Sequence, residues 1–156
     1  SFSEASRLLK DKKLNIFLKE AKKNSFIFGI CLGMQILFTK GFENGECKGL
    51  DFIGGEVKII KSKEKKIILP IVGYQKINVQ NNNFKFFNNY NNKKFYFVHS
   101  FAGNTHDLSN VLCTTVSQNV KYCSGVIKER IIGTQFHPEK SGEIGLNFLK
   151  DFISEC

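Results

Sequence analysis

Residues 28 to 35 read FGICLGMQ, with one cysteine standing between two glycines: Gly29-Ile30-Cys31-Leu32-Gly33. The segment follows directly on the apolar run Ser25-Phe26-Ile27. A glycine two places to either side of a nucleophile-type residue, after an apolar run, is the pattern of a nucleophile elbow. In such an elbow a strand turns so sharply into a helix that bulky flanking side chains would clash, and the central side chain is pushed outward. The pattern predicts a short buried strand over 25–30, a helix from Leu32 to about Lys40, and Cys31 as a candidate catalytic thiol. A cysteine at a strand end can also serve packing alone, and a catalytic one needs a base elsewhere in the chain.

Upstream, residues 4–23 carry Leu14, Phe17, Leu18 and Ala21 at helical spacing with Lys and Glu opposite, an amphipathic helix expected to pack on one face of a sheet. Helix, strand, elbow and helix in that order predict an α/β layered fold. Downstream the chain is richer in strands. Residues 52–61 and 67–79 are β-branched, with the Lys-rich 61–66 as a hairpin loop between them and Gly54-Gly55 as a bulge or turn. The Asn-rich 81–94 reads as a solvated connection, with an aromatic and basic RNA surface as the alternative. Residues 94–101, 111–117, 122–128 and 131–136 follow as strands, punctuated at Gly103-Asn104, Gln118-Asn119 and Gly133. A closing helix has Ser141 as its N-cap and Ile144, Leu149, Phe152 and Ile153 as its apolar stripe. No internal repeat or domain boundary is visible, so residues 1–156 form one domain, long enough to bury a core without disulfides.

Composition narrows the function classes. The chain is 42% hydrophobic and 24% charged, as in soluble globular proteins, and no apolar run approaches the roughly 20 residues of a membrane span. Five cysteines (31, 47, 113, 123, 156) without any C-x-x-C spacing argue against a disulfide framework or a zinc site and fit a reducing, cytoplasmic compartment. The net charge of +9 comes mostly from lysines scattered among Asn, Ile and Phe, and nucleic acid is not the expected partner.

A cysteine nucleophile needs a base and a group that orients the base. Of His99, His106 and His137, the last lies in Gly133-Thr134-Gln135-Phe136-His137-Pro138-Glu139-Lys140-Ser141, at the end of an apolar strand and two residues before a carboxylate. Positions i and i+2 share a face in an extended segment, so Glu139 can hold the His137 ring nitrogen distal to the cysteine and set its tautomer. The helix starting at Leu32 is expected to lower the Cys31 thiol pKa. His99 reads as structural, His106 as a loop residue, and the other four cysteines as inert thiols, with Cys113 and Cys123 in strand cores.

Three separated segments, GICLGMQILF (29–38), FYFVHSF (95–101) and GTQFHPEKSGEIGLNFLKDF (133–152), resemble class I glutamine amidotransferases, in the family's order and over almost the whole chain. Within that group Val98-His99-Ser100 and Lys140-Ser141 resemble the glutamine amidotransferase subunit of imidazole glycerol phosphate synthase. The resemblance implies a central, mostly parallel sheet flanked by helices plus a smaller antiparallel sheet. In the family a first strand and helix and a P-G-V-G loop come first; the resemblance implies that they are absent from this chain, which begins just after where that loop would stand.

The activity implied is hydrolysis of glutamine to glutamate and ammonia through a cysteine thioester, without cofactor or metal. Cys31, His137 and Glu139 would form the triad, and the Leu32 N–H would face the oxyanion. Gly33, Gln35, Ser100 and Phe101 would bind the substrate, and Tyr74, Gln75, Tyr96 and Lys140 would meet a partner. That partner is a (β/α)8 cyclase subunit, in a heterodimer that uses the ammonia in histidine biosynthesis. Val72-Gly73-Tyr74-Gln75 stands where the family usually has Met-Gly-Trp-Asn, and Phe101-Ala102 where it has two tyrosines. Two other readings stay open: a paralogue feeding a surface-polysaccharide sugar-modifying partner, and a non-catalytic partner module.

Overall fold

The computed structural model describes residues 1–64, 66–80 and 84–155. Among these, the strands form three sheets. The largest runs in the order β1-β11-β10-β9-β6, built from Ile27–Ile30 (β1), Asn78–Val79 (β6), Val111–Ser117 (β9), Val120–Lys128 (β10) and Ile131–Thr134 (β11). β1 and β11 pair in parallel, Ile27 with Ile131 through Ile30 with Thr134, and the other neighbours are antiparallel. A second sheet has the order β3-β2-β4-β8: Phe38–Gly41 (β2), Cys47–Lys48 (β3), Ile53–Ile59 (β4) and Phe101–Thr105 (β8). The third pairs Ile71–Lys76 (β5) with Lys94–His99 (β7). The α/β class agrees with the sequence reading; the central sheet is mixed, with β1–β11 as its parallel pair, and the antiparallel smaller sheet is that of β5 with β7, since the four-stranded sheet also holds a parallel pair, β2 with β4.

Alternation along β10 and β11 sends side chains to two cores. Val126 and Ile131 join Met34, Phe38, Ile53 and Val57 on one face. Ile127 and Ile132 join a phenylalanine-rich cluster on the other. There Phe148, fully buried on helix α4 (Gly142–Glu155), meets the rings of Phe87, Tyr90, Phe95 and Phe136 at centroid distances of 5.0, 5.2, 5.5 and 5.6 Å. Each such aromatic pair adds about 0.5–1.5 kcal/mol beyond area burial. Phe152 of the same helix stacks on Phe28 of β1 at 4.5 Å, which seats α4 against the strand that carries the elbow.

Several elements differ from the sequence reading. The single helix expected over 4–23 is two, α1 (Phe2–Asp11) and α2 (Leu14–Ala21), because Lys13 takes a left-handed conformation at φ +54°. Helix α3 covers Leu32–Ile36 only, and Phe38 already belongs to β2. The backbone N–H groups of Leu50 and Phe52 bond the carbonyls of Ile36 and Leu37, taking acceptors that a longer helix needs. The stretch 67–79 splits into β5 and β6, and the Lys-rich segment before it joins different sheets and is not a hairpin loop; Lys65 lies outside the described residues. Gly54-Gly55 is the expected bulge, since Phe38 pairs with Ile53 but Lys40 with Glu56.

The connection expected over 81–94 contains a 3-10 turn, Lys85–Tyr90, whose Phe86, Phe87 and Tyr90 are buried against α4; Asn81–Asn83 lie outside the described residues. Tyr90 Oη donates to Asp151 Oδ2 at 2.6 Å and ties this turn to α4. The strand expected over 94–101 is two strands in different sheets that change over at Ser100, and Gly103-Asn104 lies inside β8 instead of in a turn. Gly133 likewise sits within β11, which ends at Thr134. The turn at Gln118-Asn119 is present, both residues at positive φ.

Candidate active site

The elbow forms where β1 ends. The Cys31 N–H donates to the Thr134 carbonyl at 2.7 Å, continuing the β1–β11 ladder, and Cys31 itself sits at φ +52°, ψ −107° before α3 begins at Leu32. That positive φ is unfavourable for a residue with a Cβ and is held by the surrounding chain. Gly29 is demanded by the same turn: a Cβ there would stand 2.5 Å from the Gly33 carbonyl carbon and oxygen. At Gly33 a Cβ would meet nothing within 4 Å, so packing does not require glycine there. The thiol opens on a cleft of about 230 Å³ lined by Cys31, Leu32, Gln35, Val98, His99, Ser100 and Phe101, with Ser1 and Glu43 at its rim.

Burial pushes the Cys31 thiol pKa up, against hydrogen bonds from the Leu32 N–H and the Gln135 side chain that pull it down. This corrects the expectation of a lowered value: a five-residue helix does not outweigh loss of water. Glu139 raises the thiol further and Lys140 lowers it, so both charges are felt at the sulfur. The resting thiol lies 4.0 Å from the Val98 carbonyl.

β11 delivers the other half of the site. Beyond Thr134 the chain continues through Gln135 and Phe136 to His137, whose N–H donates to the Tyr96 carbonyl at 2.9 Å. His137 Nδ1 and Glu139 Oε1 are 2.6 Å apart. The segment is not extended as the sequence suggested; Pro138–Lys140 form one 3-10 turn, and the turn brings the carboxylate to the ring. Since a carboxylate only accepts, Nδ1 carries a proton, and in the neutral ring Nε2 then holds the lone pair. Nε2 is buried with no partner in the protein.

Ser141 does not cap α4. Its Oγ donates to the His137 carbonyl at 2.6 Å and accepts from the Tyr96 N–H at 2.9 Å, clamping the turn to β7. The α4 helix also packs so closely on the turn that any Cβ at Gly145 would overlap the Pro138 carbonyl. Along α4, Phe152 is buried as expected, but Ile153 is 72% exposed, and Phe148 supplies the deepest contact instead.

Cys31, Leu32, Gln35, Ser100 and Phe101 thus share one cleft, while Gly33 lies in the first turn of α3 with its α-carbon face open. Gln35 is 5% exposed, and its Nε2 already donates to the Phe101 carbonyl and to Gln135 Oε1, both at 3.0 Å. His99 is buried and structural as expected. Desolvation lowers its pKa to about 4, although a bond to the Phe101 carbonyl at 2.8 Å opposes the shift. Tyr74, Tyr96 and Lys140 cluster on the surface, with rings 5.7 Å apart and Tyr74 Oη donating to the Lys140 carbonyl at 3.2 Å. Gln75 pairs with Phe95 and lies on the opposite face of that ladder.

His106 is exposed on a bend, Cys113 and Cys123 lie in strands with burial raising their thiols (Cys123 to about 12), and Cys156 lies outside the described residues. Two residues with roles here, Gln135 and Ser141, were not singled out for the site. Gln135 carried a signal, since it precedes His137 by two in a strand-like run.

Residues 10–156 match the family described as glutamine amidotransferase class-I. The chain belongs to this family. Among relatives of this amidotransferase, imidazole glycerol phosphate synthase subunit HisH of Carboxydothermus hydrogenoformans is 42% identical over 97% of the chain and 74% of the relative. The proteins of the same name from Lactococcus lactis and, as subunit HisH 1, from Campylobacter jejuni are 39% and 38% identical, over 96% and 97% of the chain and 72% and 75% of theirs.

The solved structure of a glutamine amidotransferase superposes with a TM-score of 0.69 at 12% identity, over 100% of this chain and 76% of that one. A glutamine amidotransferase from Thermotoga maritima gives 0.61 at 18%, over 99% and 59%. At these identities the likeness is one of fold. Among the described residues no group of three or more His, Cys, Asp or Glu is placed to hold a metal ion, and no helix is long and apolar enough to cross a membrane.

Proposed function

We propose that this amidotransferase is the glutaminase subunit of an imidazole glycerol phosphate synthase, with Cys31 as nucleophile, His137 as base and acid, and Glu139 as the group that orients His137. The observation that carries the reading is the His137–Glu139 bond at 2.6 Å, which leaves a bare, buried Nε2 at the end of the strand paired with the one that presents Cys31. Burial keeps the free thiol protonated, so the helix end alone does not generate the thiolate and a base is required.

As the sulfur attacks the glutamine side-chain carbonyl carbon, its proton passes to His137 Nε2. The carbonyl oxygen becomes an oxyanion facing the Leu32 N–H. His137 then protonates the departing amine, ammonia leaves, and a glutamyl thioester remains. Water, deprotonated by His137, hydrolyses the thioester to glutamate and returns the thiol. Gly33, Gln35, Ser100 and Phe101 form the walls for the amino-acid end of glutamine.

The exposed Tyr74 and Lys140 and the half-buried Tyr96 would face a (β/α)8 cyclase that receives the ammonia, whereas Gln75, on the other face of the ladder, would not, and the names of the relatives support that partner in histidine biosynthesis. A cytoplasmic site of action fits cysteines that are free among the described residues. The test is glutamate release from glutamine by the natural full-length chain, with and without its cyclase and the cyclase's ribonucleotide substrate. Release that rises with the loaded cyclase and vanishes in Cys31→Ala is the expected result. No release beside a folded, cognate cyclase overturns the proposal.

A further inference from the structure

Gln135 is fully buried, and no step above uses its side chain. Its Nε2 lies 3.5 Å from Cys31 Sγ, and its Oε1 lies 3.0 Å from Gln35 Nε2. Gln35 Nε2 lies at the same 3.0 Å from the Phe101 carbonyl oxygen. The two ends of an amide are distinguished by what they meet, and here a main-chain carbonyl decides both amides. The Phe101 oxygen can only accept, so Gln35 turns its NH2 group toward it. That NH2 group is what Gln135 meets, so Gln135 presents its oxygen there, and its own NH2 group has to face the sulfur. The direction of the whole chain of bonds is fixed by a main-chain acceptor on another sheet, two amides along from the sulfur. Gln135 is also held by its backbone, whose N–H donates to the Ser124 carbonyl at 2.9 Å.

We infer that Gln135 is a positioning residue for the nucleophile: its N–H, aimed by Gln35 and the Phe101 carbonyl, fixes the Cys31 side chain and favours the thiolate as it forms. The inference rests on the proposed role of Cys31. The other groups at the sulfur are the Val98 carbonyl and the Leu32 N–H, with His99 of β7 lining the same cleft and the charges of Glu139 and Lys140 reaching it from the turn after β11. Among them Glu139 opposes a thiolate and Lys140 favours it, while Leu32 and Gln135 bring neutral donors. An N–H donor binds a thiolate more strongly than a neutral thiol or thioester. The Gln135 contact therefore strengthens as the proton leaves, which favours the thiolate over the resting thiol.

The test is the pH dependence of Cys31 alkylation by iodoacetamide, followed peptide by peptide by mass spectrometry in the wild type, Gln135→Glu and Gln135→Met, with folding monitored by thermal melting. Gln135→Glu keeps the shape and the oxygen that Gln35 meets but loses the N–H. The expected result is a Cys31 midpoint higher by about one pH unit in both variants, with roughly tenfold slower alkylation at a fixed, mildly alkaline pH. The midpoint of the half-buried Cys47 should stay where it is. An unmoved Cys31 midpoint, or one that moves together with that of Cys47, overturns the inference. If the wild type hydrolyses glutamine and the midpoint does not move, the positioning role fails and the glutaminase reading stands. If the midpoint moves and no glutamine is hydrolysed beside the loaded cyclase, the reverse holds.

Discussion

His137 donates through Nδ1 to Glu139 Oε1 at 2.6 Å, two residues along the same turn, and its Nε2 is left buried and unpartnered. The pair sets the tautomer on which the proposed proton transfers depend. Glu139→Gln tests this with little change of shape. A glutamine amide can turn its own NH2 toward Nδ1 and force the proton onto Nε2, the wrong nitrogen for a base. The expected outcome is a fall in kcat of about 10²- to 10⁴-fold, the range of general acid–base catalysis, with KM for glutamine nearly unchanged. Steady-state kinetics with the loaded cyclase checks it, and a kcat within a few-fold of wild type would remove Glu139 from the mechanism.

Stability should depend on pH through His99. Its folded pKa is lowered to about 4 from the ordinary 6.5, because burial disfavours the charged ring more than its bond to the Phe101 carbonyl favours it. A depressed folded value means the unfolded chain binds a proton first. The contribution is fully present above about pH 6.5 and is lost as pH falls toward 4, amounting to about 3 kcal/mol in all. Urea unfolding midpoints measured across that window should fall for the wild type and fall less for His99→Gln. Parallel curves for the two proteins would refute the assignment.

The two glycines of the elbow should behave differently. Gly29→Ala places a Cβ 2.5 Å from the Gly33 carbonyl, a clash with backbone, and should cost about 1–3 kcal/mol or more. Gly33→Ala meets nothing within 4 Å and should melt within a degree or two of wild type, while its new methyl group stands at the proposed glutamine wall and raises KM. Calorimetry of the two variants decides; equal destabilisation would mean the elbow does not have this geometry.

Ser141 links the site to β7, accepting from the Tyr96 N–H and donating to the His137 carbonyl. Ser141→Ala leaves a buried amide without its acceptor at a residue only 3% exposed, so a loss of about 1–3 kcal/mol is expected. Because the same hydroxyl holds the His137 backbone, kcat should fall with stability. Measuring both separates this clamp from helix capping, which would lower stability and leave kcat alone.

The chemistry of the site was legible because it is written locally. The glycine spacing around Cys31 reflects a turn that happens within five residues, and His137 and Glu139 are two apart, so short-range geometry decides whether they meet. The alternation of β10 and β11 and the apolar stripe that holds Phe152 were readable for the same reason. Element ends were not. The helix after the elbow stops at Ile36 because Leu50 and Phe52, far along the chain, bond the carbonyls of Ile36 and Leu37. The run 94–101 breaks at Ser100 because His99 pairs with Ile71 in one sheet and Phe101 with Ile59 in another.

By itself, the sequence determined the elbow at Cys31 and the pairing of His137 with Glu139, and with them the proposed nucleophile, base and orienting carboxylate, since each depends on residue type and near spacing. Only the tertiary structure decided the environment of those groups. Burial raises the Cys31 thiol against the pull of its helix, because desolvation is a property of everything packed around a group. Gln135 points an N–H at the sulfur because the Phe101 carbonyl, on another sheet, can only accept.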